Sequence, residues 1–230
     1  MDIETITLPG GQVLKYLKEK EVENNLEKRG FKEDVHLMNL ERSDITTHVY
    51  EGGFKVWECS IDLCNLIEQN KDTIKDKTVI ELGCGAGLPG ILASIVGAKH
   101  VTFQDFNDCV LKCFTRDNAL QNEVLIETIS LVGCSWQNIG LVKEKSFDVI
   151  LTSETIYNEN DYESLHSALD YCLSADGVCW MAAKFFYFGL TGSVPSFLDY
   201  VKSQNVFSAG IKVSIEASVP RKILEIRRKA

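Results

Sequence analysis

The sequence predicts an α/β fold: a doubly wound, mostly parallel sheet of seven strands with an antiparallel strand pair at its C-terminal end. Three observations carry that expectation. From about Tyr50 onward, short apolar runs alternate with amphipathic stretches of roughly ten residues, the pattern of repeated βαβ units. A glycine-rich turn, Gly83-Cys84-Gly85-Ala86-Gly87, follows the first of the runs directly. An acidic residue, Asp105, closes the second.

The elements follow in order. Lys15–Arg29 is rich in Lys, Glu and Asn and is expected to be an exposed helix or a mobile arm. With its neighbours it forms an N-terminal extension, residues 1–48, to a single domain spanning residues 49–230. Val56–Gln69 carries apolar residues at Val56, Cys59, Leu63, Leu66 and Ile67, which is helical spacing. Thr78–Leu82 is a buried strand, Leu88–Val96 a helix closing at Gly97, Val101–Gln104 a strand and Asp108–Leu120 a helix. Glu127–Leu131, Phe147–Thr152 and Val178–Lys184 read as strands, with helices at Leu165–Leu173 and Pro195–Lys202. Ile211–Ala217 and Lys222–Arg227 form the final antiparallel pair. Right-handed crossovers put helices on both faces of such a sheet, and ligands bind outside the carboxyl ends of its strands.

Composition narrows the function classes. At 230 residues, 45% hydrophobic and 25% charged, the chain is long enough to build a core without a disulfide or metal staple. No apolar run approaches the ~20 residues of a membrane span. Met1-Asp2-Ile3-Glu4 is acidic where a signal peptide is basic. A soluble, monomeric, intracellular protein is expected, cytoplasmic with the nucleus and nucleolus as further compartments. Lys and Arg total 24 against 33 Asp and Glu, a net charge of −9. That balance opposes direct nucleic-acid binding and suits a basic protein partner. The obvious basic cluster is Arg221, Lys222, Arg227, Arg228 and Lys229. Eight cysteines contain no CxxC pair, and His36, His48, His100 and His166 are scattered, so no metal site is expected. Reduced thiols are the expected state.

The glycine turn lets the backbone approach a ligand closely, and Asp105, 22 residues after Gly83, stands where a carboxylate accepts from ribose hydroxyls. Glu81, two residues before Gly83, would repel a pyrophosphate and suit the amino group of a methionine moiety. The GxGxG spacing with Leu88 in the last position also departs from a dinucleotide fingerprint. S-adenosylmethionine (SAM), whose product is S-adenosylhomocysteine, therefore fits better than NAD.

These residues resemble motif I of the seven-β-strand (class I) methyltransferases. Further segments narrow the likeness: Val49-Tyr50-Glu51-Gly52-Gly53 with Trp57-Glu58, Phe103-Gln104-Asp105, Leu151-Thr152-Ser153-Glu154-Thr155-Ile156-Tyr157-Asn158 and Lys184-Phe185-Phe186-Tyr187-Phe188-Gly189. From about Val49 onward the chain resembles the protein-histidine methyltransferases, relatives of the family 16 protein-lysine enzymes. The resemblance implies that Val56, Trp57, Glu58 and Cys59 cover the cofactor from the N-terminal side and that Gly83 and Gly85 approach its methionine part. It further implies that Asp105 holds the ribose between Gln104 and Phe106, that Ser135 and Trp136 contact adenine, and that Ser153 lines the methyl-donor side. From the residues alone, Trp57 and Trp136 read as ordinary core aromatics. The chain departs from the family at Ala183, where a serine is usual, and in the short Leu190-Thr191-Gly192 stretch.

Glu154 and Tyr157, at the end of the fourth strand, are assigned to orienting the acceptor, although Glu154 could equally cap the following helix. An imidazole with pKa near 6.5 is largely neutral at pH 7, whereas a lysine at ~10.4 is not, so a histidine acceptor needs less help from a base. By resemblance the substrate is a histidine of a large-subunit ribosomal protein. A protein-lysine enzyme and a non-catalytic SAM-binding module are the alternatives. An RNA enzyme ranks last, because Ser153-Glu154-Thr155-Ile156 stands where an NPPY-type motif belongs.

Overall fold

The computed structural model describes residues 2–31 and 53–229. Val49 to Gly52, His36, His48 and most of the proposed junction between extension and domain lie outside the described residues.

The expected sheet is observed. Its strands are β3 (Thr78–Leu82), β4 (His100–Asp105), β5 (Ile129–Gly133), β6 (Phe147–Ser153), β7 (Leu173–Lys184), β8 (Phe207–Ile215) and β9 (Arg221–Arg228), in the order β5-β4-β3-β6-β7-β9-β8. Neighbours β5 through β7 pair in parallel, while β9 runs antiparallel to both β7 and β8. Strand order reverses between β3 and β6, which opens a crevice above their carboxyl ends. The described helices are α1 (Glu19–Lys28), α2 (Glu58–Gln69), α3 (Leu88–Ile95), a composite α4 (108–121), α5 (Tyr162–Cys172) and α6 (Val194–Gln204), with a single turn at Lys71–Ile74.

Side-chain alternation along each strand divides the core in two. Val79, Phe103, Val149, Leu151 and Trp180 face α2, α3 and α4, packing on Leu63, Ile67, Ile91 and Phe114. Ile80, Leu82, Ile150, Met181 and Leu224 face α5 and α6, packing on Leu165, Leu169, Phe197 and Val201.

Besides β7 and β8, which begin at Leu173 and Phe207 rather than at Val178 and Ile211, three elements differ from expectation. The Lys15–Arg29 stretch is neither an arm nor a fully exposed helix. Ile3–Thr7 (β1) and Val13–Leu17 (β2) form an antiparallel hairpin, and α1 follows it. Leu14, Leu17, Val22 and Leu26 are all buried in the same core as α2 to α4. Val22 and Leu26, four residues apart, make a stripe narrow enough to disappear among the charges of the other faces. Polar contacts fix the docking: Leu17 N–H donates to Asn118 Oδ1 at 2.9 Å, Asn25 Nδ2 donates to Asp117 Oδ2 at 2.9 Å, and Arg29 pairs with Asp117 at 2.8 Å. Second, α4 runs from Asp108–Val110 through a π-helical segment, Leu111–Thr115, to Arg116–Gln121. Third, β5 begins two residues later than expected, because Ile126–Thr128 is a 3₁₀ turn.

Candidate active site

Above the carboxyl ends of β3, β4, β6 and β7 lies a cavity of about 540 Å³, within the range of small-ligand sites. Its walls are the glycine turn after β3, the ends of β4 and β6, the segment after β5 and the loop after β7.

The glycine turn carries Gly83 at φ +61° and Gly85 at φ +49°, a conformation that side-chain-bearing residues rarely adopt. A Cβ on Gly83 would fall 2.9 Å from Thr155 Cγ2, so substitution there crowds the floor of the cavity. The turn is held from several sides. Gly83 N–H donates to Gln104 Oε1 at 3.2 Å, Gly85 N–H donates to Asp105 Oδ2 at 2.9 Å, and Asn118 Nδ2 donates to Ala86 O at 2.9 Å. The Thr115 hydroxyl donates to Gly85 O at 2.6 Å. Thr115 belongs to the π-helical segment, a kind of irregularity that concentrates at functional sites.

Gln104 flanks Asp105, as expected, and both ends of its amide are engaged: Trp136 Nε1 donates to Oε1 at 3.1 Å and Nε2 donates to Cys134 O at 2.7 Å. It therefore sets the distance between the glycine turn and the Trp136 ring. Asp105 is 6% exposed, and burial pushes its pKa up against the opposing pull of the backbone N–H groups. Oδ1 and Oδ2 accept from Asn107 N–H at 3.1 Å and Gly85 N–H at 2.9 Å, which leaves lone pairs facing the cavity.

Of the residues singled out in the sequence, Trp57, Gly83, Gly85, Gln104, Asp105, Phe106, Ser135, Trp136, Ser153, Glu154 and Tyr157 line this cavity together. Glu81 does not. Sharing a strand face with Val79, it points under α3, is 1% exposed, and accepts from Gly90 N–H at 2.8 Å. Burial pushes its pKa up to about 8. The contact with a methionine amino group expected of Glu81 is replaced by a tie between β3 and the first turn of α3. Val56, Glu58 and Cys59 are also set back from the cavity surface. Val56 packs against the core, Cys59 is fully buried, and Glu58 lies 3.5 Å from Lys184 Nζ.

The acceptor end is built differently. Glu154 follows β6 at φ +58°, a strained conformation for a residue with a side chain, and its N–H donates to Ala182 O at 2.9 Å. Its side chain is 8% exposed, and Oε1 is buried without a hydrogen bond; Lys184 Nζ is 3.7 Å away. Glu154 does not cap α5: the residue preceding that helix is Asp161. The Cys59 thiol and the Tyr187 hydroxyl stand beside the carboxylate, and burial together with that negative charge pushes both pKa values far up. Tyr157 meets Tyr187 edge to face at 6.3 Å. Trp57 lies between two ammonium groups, Lys55 Nζ at 4.6 Å and Lys184 Nζ at 5.1 Å from its ring centre. Lys55, Thr155, Gln137, Lys184, Tyr187 and Phe188 line the cavity without having been assigned to it from sequence. Lys184, Tyr187 and Phe188 lie within a segment quoted for the resemblance, so a signal for them was present.

Comparison with known proteins agrees with this geometry. The lysine methyltransferase family matches residues 39–187. The chain belongs to that family. Among curated relatives, a "Histidine protein methyltransferase 1 homolog" from Dictyostelium discoideum is 37% identical over 193 residues, 83% of this chain and 62% of the relative. Its counterpart from Rattus norvegicus is 36% identical over 212 residues, 80% of this chain and 59% of the relative. The chain thus spans about 60% of the length of these relatives. The solved ribosomal protein L11 methylase of Lactobacillus delbrueckii subsp. bulgaricus superimposes with a TM-score of 0.59 at 24% identity, covering 76% of this chain and 81% of that one. That likeness identifies the fold as that of the class I methyltransferases. The sequence resemblance to the protein-histidine branch is borne out by the names of the relatives. Among the described residues no cluster of three or more His, Cys, Asp or Glu could hold a metal ion, and no helix is long and apolar enough to cross a membrane.

Proposed function

We propose that this chain is a SAM-dependent methyltransferase whose acceptor is a histidine side chain of another protein. The residues present fit the cofactor. Asp105 is a buried carboxylate with lone pairs directed into the cavity, Trp136 is a flat wall held by Gln104, and the glycine turn leaves backbone exposed between them. Bound there, SAM supplies a sulfonium methyl group. The chain's own residues supply alignment and exclude water, which is most of what an in-line displacement needs.

The observation that carries the acceptor assignment is Glu154 Oε1, buried without a hydrogen bond and 3.7 Å from the Lys184 ammonium. Sheet order places Glu154 two strands from Asp105, about 10 Å across the crevice. A buried carboxylate oxygen that accepts no hydrogen bond costs free energy until a donor reaches it. The N–H of a neutral imidazole is such a donor. Accepting from it leaves the second ring nitrogen, which bears the lone pair, as the nucleophile. Glu154 then stabilises the positive charge that grows on the ring and takes up the N–H proton only after transfer. Tyr157, packed edge to face on Tyr187, supports one side of the ring.

A basic partner, by resemblance a large-subunit ribosomal protein, suits the net charge of −9, and the chain is proposed to act as a monomer in the cytoplasm or nucleus. The second reading is a lysine acceptor, favoured by the description of the matched family. Incubating a lysate from cells lacking the enzyme with pure protein and labelled SAM, followed by residue-level mass spectrometry, decides between them. Methylhistidine supports the proposal; methyllysine, or no transfer despite SAM binding, replaces it with the second reading or with a binding module.

A further inference from the structure

The rim on the acceptor side of the cavity has a feature that methyl transfer itself does not use. Between β7 and α6 the chain forms a loop whose half-buried anchor is Tyr187 and in which Phe186, Phe188 and Leu190 are exposed at 38%, 78% and 39%. All three line the cavity that contains Glu154. The loop is firmly held. Phe186 bridges to Ser193, Gly192 N–H donates to Tyr157 O at 2.9 Å, and a Cβ on Gly192 would fall 2.0 Å from Ile156 O. The Phe186 and Phe188 rings meet edge to face at 4.9 Å. A rigid loop that holds a phenylalanine three-quarters exposed has prepaid the ordering entropy of an interface anchor.

The turn beside it is acidic. Glu159 N–H donates to Thr191 Oγ1 at 3.0 Å, joining the Asn158–Asp161 turn to the same loop, and Asp161 lines the cavity. Beside the aromatic rim this stretch therefore carries two exposed carboxylates, Glu159 and Glu163, that enter no ion pair among the described residues.

We propose that this rim docks the substrate protein through an exposed segment in which the methylated residue is flanked by a large apolar side chain and by Lys or Arg. The apolar side chain covers Phe188 and Leu190, and the cationic ones face Glu159 and Glu163. Charge complementarity commits the surface to this occupant rather than to nucleic acid, whose phosphates the acidic turn would repel. The inference rests on the histidine-methyltransferase reading above, and its test separates the two.

The probes are synthetic peptides with a central histidine: one flanked by Leu and Lys, one with Glu replacing each Lys, one with Ser replacing each Leu. Binding is read by fluorescence anisotropy on protein saturated with S-adenosylhomocysteine. The Leu/Lys peptide is expected to bind about tenfold more tightly than either control. Phe188→Ala should erase most of that advantage with S-adenosylhomocysteine affinity unchanged, and the Glu159→Lys, Glu163→Lys pair should erase the preference for Lys over Glu. Equal binding of the three peptides, no binding at all, or indifference to Phe188→Ala overturns the inference. So does a single-stranded RNA that outcompetes the Leu/Lys peptide, or a dimer that Phe188→Ala dissociates, which would assign the rim to a second copy of the chain. Failure to bind S-adenosylhomocysteine defeats the functional reading itself, whatever the peptides do.

Discussion

The two ends of the cavity follow opposite rules. At the ends of β3 and β4 the groups that shape the site are tied to one another: the Gln104 amide makes three bonds, the Asp105 carboxylate two, and Thr115 and Asn118 tie down the carbonyls of the glycine turn. At the ends of β6 and β7 one carboxylate oxygen is left without a hydrogen bond, its residue is strained, and the adjoining loop exposes aromatic rings. The first end is held in shape before any ligand arrives; the second keeps an acceptor for one. That is the arrangement expected where a constant cofactor meets a variable macromolecular substrate.

The contrast can be broken most severely at Glu154. Glu154→Ala should lower kcat by about 10²- to 10³-fold, the scale of losing one preorganised partner to a developing charge, with SAM affinity unchanged. Glu154→Gln should retain part of the activity, because its amide oxygen accepts from the same N–H. Its rate should still rise through a pKa near 6.5, that of the acceptor histidine. Single-turnover kinetics against pH measures both variants; a Gln variant as dead as the Ala variant would make Glu154 an obligatory base.

Packing offers a second comparison. Gly90→Ala places a Cβ 2.4 Å from Phe103 Cε1 and 2.7 Å from Glu81 Oε2, and about 3 kcal/mol of stability should be lost. Gly189→Ala, in the exposed loop, meets nothing within 4 Å and carries only the cost of φ +75°, about 1 kcal/mol. Denaturant midpoints read the difference directly, and equal losses would remove the distinction between a filled end and an open one.

Asp105→Ala removes charge-assisted bonds worth roughly 1.5–3 kcal/mol, about ten- to a hundred-fold in SAM affinity by calorimetry. Unchanged binding would displace Asp105 from the ribose site.

How much of this was legible before the structure depends on where each residue lies. Strands β3, β4, β6 and β7 are covered on both faces, so they read as short continuous apolar runs and were placed within a few residues. The N-terminal hairpin was not, because a two-stranded ribbon with an exposed face leaves no such run, and α1 buries only a narrow stripe. Glu81 was misread because its nearness to the glycines in sequence says nothing of which strand face it occupies. The side chains of the resemblance motifs did converge on one cavity, whereas Lys55 emerged only from its three-dimensional position over the Trp57 ring.

The smallest effect concerns Glu81. Its pKa rises from 4.5 to about 8 in the folded chain, so across that interval the folded state holds a proton that the unfolded state has released. Stability contributed by the protonated form is therefore fully present below about 4.5 and is lost as pH climbs towards about 8. Glu81→Gln cannot ionise and still accepts from Gly90 N–H, so its Tm should fall less between pH 6 and pH 9, by ~2–4 °C. Parallel Tm curves for the two proteins would show that Glu81 carries no such proton.

The position of β9 has a consequence for biosynthesis. Because Arg221–Arg228 inserts between β7 and β8 rather than adding at an edge, Cys179–Lys184 has no partner on that side until β9 itself has been made. The nascent chain must therefore present an unzipped β-edge, with β8 already synthesised yet unable to join the sheet, during the interval in which aggregation through exposed strands is most favoured. A chaperone that shields Cys179–Lys184 during elongation would be expected to raise the yield of folded protein.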